Sequence, residues 1–412
     1  MKPTSRSSSP NEKRRRHRAD VSLIMITMLL TLVGLIVIYA LSPILSHRLL
    51  DDVSQNYFMY GQIRNILLAL VAFFIAVNIN WTKWKSKLLP ILIIASIAAL
   101  VMTFIPGLAI TEKGATRWVG MGPFSFQPSE LIKLTVVIGV AAWFASLKEK
   151  ELKDYKRTLA PAIGLLGVVS LFVLVHQRDL GTMLVIAAVV VAIFFASGVS
   201  LKQLGVLLGI GGTFGAASIA LFPHRMERIR TYFSPGDNLA ETGYHLHQAL
   251  IAVGSGGMFG LGLGRSVQVY GYLPEAANDS IFAIIGEMFG FLGASFVLIL
   301  FGLLIFRMLM VAEGAPDRFS QLLVVGVLAW LGTQAVVNMM SMLGIIPLTG
   351  IPLPFVSYGG SSLLFMMIAL GIVVNISKYT VRRPYADRSS RRRQRRTHNA
   401  YTGRRVGAQI TK

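Results

Sequence analysis

Asp279 and Glu287 are the side chains of this chain best placed for chemistry. Residues 242–293 read TGYHLHQALIAVGSGGMFGLGLGRSVQVYGYLPEAANDSIFAIIGEMFGFLG. The stretch opens as a glycine-studded, half-apolar segment too broken to span a bilayer. It passes through Leu273-Pro274-Glu275 and places Asp279 just before an apolar run that carries Glu287. A carboxylate where water meets lipid is expensive, and such residues mark functional sites. Asp279 could act as a general base, or it could cap the following helix by accepting from free amide groups. Glu287 follows after about two turns, so the two acids could share a helix face. The structural alternative for Glu287 is a buried acid paired with a neighbouring helix.

Further polar groups cluster around apolar runs. Gln127-Pro128-Ser129-Glu130 has the form of a helix start, and Lys133 follows Glu130 at a spacing that allows pairing on one face. Inside a bundle such a pair shapes a polar cavity; at an interface it is merely structural. Arg117 beside Trp118 could grip a phosphate through its planar fork or anchor at the headgroup level. Arg225, Arg228 and Arg230 could hold an anionic headgroup or snorkel. His245 and His247 fall on different helix faces, which disfavours a local metal site. Pro352, Pro354, Gly359 and Gly360 surround Ser357-Tyr358 and impose irregular backbone, which a membrane tolerates where it lines a cavity or is buried in protein.

The elements that must position these groups are membrane helices. The chain has 412 residues, 54% hydrophobic and only 14% charged, with a mean hydropathy of +0.61; soluble domains carry about a quarter charged residues. Cysteine is absent, which excludes disulfides and thiolate metal sites. The first apolar run has no small-residue cleavage site after it, so no cleavable signal peptide is expected. The net charge is +21, and residues 1–20 and 378–412 supply +16 of it. Those tails lack interleaved aromatics, so they read as solvated cytoplasmic blocks beside anionic lipid, with no nucleic-acid partner.

Runs of about 20 apolar residues predict an all-α polytopic protein with ten spans: 22–41, 57–79, 88–106, 129–147, 159–175, 180–197, 204–222, 281–306, 319–340 and 361–376. Lys83, Lys85, Lys87, the basic residues of 148–157, Lys202, Arg307 and Arg318 fall in loops on one side, the cytoplasmic one by the positive-inside rule. Both termini are then cytoplasmic. The large loop 223–280, the loop holding Arg117 and the loop holding Ser357 face outward. The expected organisation is a basic tail over 1–20, a membrane domain over 21–378 and a second basic tail over 379–412.

Five segments carry a family resemblance: GATRW with QPSELIKL (114–118, 127–134), QRDLGT (177–182), GYHLHQALIAVGSGGMFGLGLG (243–264), YLPEAANDSIFAIIGE (272–287) and LTGIPLPFVSYGGSS (348–362). In these the chain resembles the SEDS proteins (shape, elongation, division and sporulation) over about residues 20–380. The resemblance implies a peptidoglycan glycosyltransferase of the bacterial cytoplasmic membrane. Such an enzyme polymerises lipid II at the outer face, beside a class B penicillin-binding protein and other division-complex membrane proteins. It implies Asp279 as the essential acid, with Arg117, Glu130, Lys133, Gln248, Glu275, Glu287 and Ser357 as substrate-binding candidates. The chain departs from the family pattern at Arg178, where proline is usual, at Ala277-Asn278-Asp279-Ser280, where His-Thr-Asp-Phe is usual, and at Arg265. The long charged tails point to an FtsW-like division member over a RodA-like elongation member.

Forming a β-linkage from an α-linked muramyl diphosphate lipid requires inversion, hence one in-line displacement by a sugar hydroxyl. Asp279 is the expected base. The leaving diphosphate needs positive charge from a divalent cation (Mg2+ or Mn2+), Arg117, Lys133 or the arginines at 225–230. The competing reading is a flippase or transporter of the same lipid-linked precursor, which would need a midplane site open to both faces.

Overall fold

The computed structural model describes residues 18–49, 54–112, 115–121, 124–233 and 241–380. Most of the two tails lies outside these ranges. Twelve helices and one small sheet account for the described chain: α1 (Val21–Leu49), α2 (Tyr57–Asn78), α3 (Trp81–Met102), α4 (Pro128–Ser146), α5 (Tyr155–His176), α6 (Leu180–Ala196), α7 (Leu201–Leu221), α8 (Pro223–Phe233), α9 (Glu241–Ser255), α10 (Ile281–Glu313), α11 (Arg318–Met342) and α12 (Gly360–Ser377). Among the described residues, nine helices are long and apolar enough to cross a membrane. The sixth expected span, α6, is a shorter apolar helix of 17 residues.

Local chemistry sets the helix ends. Asn80 accepts from Thr82 N at 3.0 Å and starts α3. Asp179 accepts from Thr182 N and Thr182 Oγ1, both at 2.8 Å, and starts α6. Reciprocal Ser200–Gln203 and Asp317–Ser320 boxes open α7 and α11. The lysines 83, 85 and 87, expected in a loop before residue 88, instead lie exposed on the first turns of α3. Lysine is a good helix former and carries its charge away from the bundle, so the helix runs past the apolar segment.

The expected domain edges also move. Asp20, assigned to the N-terminal tail, pairs with Arg307 of α10 and receives Leu23 N at the start of α1. At the other end Tyr379 packs on Trp81, ring centroids 4.6 Å apart, and buried Lys378 donates to Val77 O at 3.0 Å. The packed body therefore takes in residues 20 and 379.

α4, α11 and α12 form the centre: 78, 78 and 83% of their apolar windows are buried, against 11% for α7 at the edge. The loop carrying Arg117 is a three-stranded antiparallel sheet, β1 (Ala109–Glu112), β2 (Ala115–Met121) and β3 (Phe124–Phe126). Ala109 lies opposite Val119, and Val119 opposite Phe126. The expected 223–280 loop is itself partly helical, with α8 and α9.

α10 runs 33 residues, longer than the 26 apolar ones expected, and is broken at Gly290 (φ 66°, ψ −163°). Backbone from the preceding loop fills the break: Leu261 N donates to Glu287 O at 2.9 Å and Gly262 N to Met288 O at 3.0 Å. In return Phe291 N donates to Gly257 O at 2.8 Å and Leu292 N to Met258 O at 3.2 Å. Only glycine adopts that φ without strain. A Cβ there would also meet Met258 O at 2.7 Å.

Candidate active site

Asp279 is fixed through its neighbours' backbone. Ser357 Oγ donates to Asn278 O at 2.6 Å and accepts from Leu353 N at 2.8 Å. Tyr358 N donates to Ala277 O at 2.9 Å. Asn338 of α11 donates to Asp279 O and Ile351 O, both at 2.7 Å. The helix N-cap is Ser280, which makes no side-chain cap bond; its hydroxyl is 2.6 Å from His245 Nε2 and 2.8 Å from Pro274 O. The capping position expected for Asp279 thus falls one residue later.

Asp279 lines a cavity of about 1390 Å³. Arg117, Glu130, Lys133 and Glu275 also line it. Arg64, Arg178, Arg225, Arg228 and Asp179 line it too. The lining also includes apolar side chains of α5 and α7, among them Ile163, Leu166, Ile210 and Phe214. Of the three non-glycine residues at positive φ among those described, Arg178 (53°) and Glu275 (49°) line this cavity. Phe355 (64°) lies in the loop that clamps Asp279. Strained backbone of this kind concentrates at functional sites.

Lys133 donates to Glu130 Oε1 at 2.8 Å and to Gln334 Oε1 at 3.2 Å, and both partners of the ion pair are 2% exposed. Gln334 also takes Trp330 Nε1 at 2.9 Å and donates to Pro352 O at 3.0 Å. The pair therefore ties α4 to α11 and to the clamp loop. Glu130 Oε2 is buried and accepts no hydrogen bond from the described residues.

The other cations differ in what they already hold. Arg117 directs Nε to Gln177 O and Nη2 to Arg178 O, each at 3.0 Å, so one edge of the expected phosphate fork is taken by backbone carbonyls. Buried Arg225 binds Ser218 O, Ser218 Oγ and Leu174 O. Arg228 reaches Leu348 O at 3.2 Å. Enclosure by protein lowers the Arg228 pKa, as does nearby Arg117, against Asp279 and Asp179, which raise it. Desolvation, then Arg228, lowers that of Arg225, with Arg178 acting in the same sense. These groups feel one another across one site.

Three expected binding residues do not line the cavity. Ser357 works through the clamp. Gln248 sits half-buried on α9 outside the lining. Glu287 is 0% exposed and accepts from Ser266 Oγ, from Val267 N at 2.8 Å and from Gln268 N at 3.2 Å. A carboxylate with three donors and no solvent holds the loop rather than a ligand. Asn338 and Gln334 were missed by sequence reading; neutral amides inside an apolar helix were the available signal.

Among the described residues, no three His, Asp or Glu converge as metal ligands. Mg2+ or Mn2+ would find one or two carboxylates and complete its shell from diphosphate and water, a usual arrangement for Mg2+.

A polytopic helical bundle around a cavity lined by charged and apolar side chains defines an integral membrane protein. The model of the cell cycle protein family of FtsW, RodA and SpoVE matches residues 20–382, and the chain belongs to that family. It is 37% identical to stage V sporulation protein E of Bacillus subtilis over 365 residues, 88% of this chain and 97% of the relative. It is 36% identical to a "Probable peptidoglycan glycosyltransferase FtsW" of Nitrosomonas europaea over 377 residues, 90% of this chain and 95% of the relative. Two solved structures share the fold. One chain, from a study of a peptidoglycan synthase complex coordinating polymerization and crosslinking, gives a TM-score of 0.68 at 24% identity, covering 87% of this chain and 98% of that one. The rod shape determining protein RodA of Thermus thermophilus gives 0.60 at 24% identity, covering 88% and 98%.

Proposed function

We propose that this multi-pass membrane protein is a peptidoglycan glycosyltransferase that polymerises lipid II into β-1,4 glycan strands at the outer face of a bacterial cytoplasmic membrane. One observation carries the reading: clamped Asp279 shares a single cavity with the buried Glu130–Lys133 pair, five arginines and apolar side chains of α5 and α7. That combination suits a substrate with a sugar, a diphosphate and a lipid tail.

The acceptor's sugar 4-hydroxyl oxygen attacks the anomeric carbon of the donor, its proton passing to Asp279. The bond from that carbon to the diphosphate oxygen breaks, and the lipid diphosphate leaves with the electron pair towards the arginines. A positioned base contributes about 10²–10⁴-fold. Asn338 and Ser357 hold the base through backbone and touch no reacting atom. Glu130 Oε2, buried beside the cavity, can accept from a sugar hydroxyl or amide.

The basic tails favour cytoplasmic termini, with α6 completing a tenth crossing, since 17 residues lie at the short end of what spans a bilayer. The long charged tails motivate a septal role, and the likeness to a chain from a peptidoglycan synthase complex coordinating polymerization and crosslinking supports work beside a class B penicillin-binding protein.

The test is polymer formation from labelled lipid II by purified protein in detergent, where flipping has no meaning. Polymer is expected, alone or with the cognate penicillin-binding protein. Absence of polymer in both settings, from protein that folds and binds lipid II, would overturn the reading.

A further inference from the structure

Arg178 stands apart from every other cation of the cavity. Arg117, Arg225, Arg228 and Lys133 each direct at least one donor to a protein oxygen. Arg64 is engaged as well and acts on Tyr358. Arg178 lines the same cavity, is exposed to it, and its guanidinium donates no hydrogen bond to any described residue. Its neighbour Asp179 commits both carboxylate oxygens to Thr182.

The backbone holds this side chain deliberately. Arg178 has a φ of 53°, a left-handed conformation that is uncommon outside glycine, asparagine and aspartate. Arg117 Nη2 pins its carbonyl at 3.0 Å. Proline, whose ring fixes φ near −65°, is the residue that SEDS proteins usually carry here, and it could not adopt this geometry.

We propose that Arg178 is a substrate-binding residue whose guanidinium takes the diphosphate of the lipid-linked donor. The proposal rests on the reading of the chain as a lipid II polymerase. Guanidinium matches phosphate oxygens through parallel N–H donors. The free fork faces the cavity that holds Asp279, whereas Arg117, Arg225 and Arg228 are each already tied to at least one protein oxygen. No bond to the substrate is made or broken by Arg178; it holds the group that leaves.

Arg178→Gly keeps the left-handed backbone and deletes the fork, whereas Arg178→Lys keeps charge alone. With lipid II in detergent, Arg178→Gly is expected to raise KM about tenfold, the loss of one charge-assisted hydrogen bond, with kcat within about twofold; Arg178→Lys falls between. Inorganic pyrophosphate is expected to inhibit the wild type and to raise its melting temperature, and to do both more weakly in Arg178→Gly. The melting arm needs no turnover, so it tests Arg178 even if no glycan forms. Equal KM in wild type and Arg178→Gly, or equal pyrophosphate effects including none in either, overturns the proposal. Loss of the difference when the proteins sit in phosphatidylglycerol nanodiscs would assign Arg178 to ordinary anionic headgroups and also overturn it.

Discussion

A single amide, Asn338 Nδ2, donates to the carbonyls of Asp279 and Ile351, each at 2.7 Å. It joins the segment bearing the candidate base to the loop facing it, from a helix buried in the centre of the bundle. Asn338→Ala leaves two carbonyls without their donor, at about 1–3 kcal/mol for a buried unsatisfied group. Melting temperature should fall, and glycan synthesis should fall further than stability alone explains. A variant with full activity would show that the amide has no hold on Asp279.

Asp279→Asn preserves shape and removes the base. Because Ser280 is the N-cap, helix stability should hardly change, while polymer yield drops by roughly two orders of magnitude or more. Asp279→Glu should recover little, since the carboxylate must meet the acceptor hydroxyl within hydrogen-bond reach. Rates from labelled lipid II, measured beside thermal melts, decide this. An active, stable Asp279→Asn protein would move the search for a base to Glu130.

For the buried pair, removing one partner is the severe change. Lys133→Met should destabilise by about 3–5 kcal/mol, because Glu130 is left as an uncompensated buried charge. Adding Glu130→Gln should restore much of the stability without restoring activity. If the double variant is as active as the wild type, the pair serves only to tie α4 to α11.

Glycines should separate sharply. Gly290→Ala places a Cβ against Gly260 N and Met258 O at a positive φ, and the protein should fail to accumulate in membranes. Gly209 of α7 has nothing within 4 Å of the corresponding position, so Gly209→Ala should be neutral or slightly stabilising, since alanine suits helices better by about 1 kcal/mol. Expression and melting of the two variants test the contrast.

Asp279 was legible in the sequence because an acid at the edge of an apolar run has few inexpensive explanations. Glu130 and Lys133 were legible as a spaced pair, although their link to Gln334 was not, since that partner lies on another helix. Glu287 was misread for a similar reason. Its donors, Ser266 to Gln268, are some 20 residues away and reach it only because the chain folds back. Strands of three to seven residues around Arg117 are too short to declare an alternating pattern in a loop this rich in turn residues. The position of Arg178 follows from the commitments of its neighbours, and no local pattern records those.

The exchange of backbone hydrogen bonds at Gly290 has an evolutionary corollary. Residues 257–262 and 287–292 are held in a fixed register by four bonds running both ways. One residue inserted or deleted in either run would displace every partner at once, and would shift Glu287 against Ser266, Val267 and Gln268. Length variation among descendants of this chain should therefore be rare within those runs. They should be inherited together as a block, with substitutions in one run answered in the other.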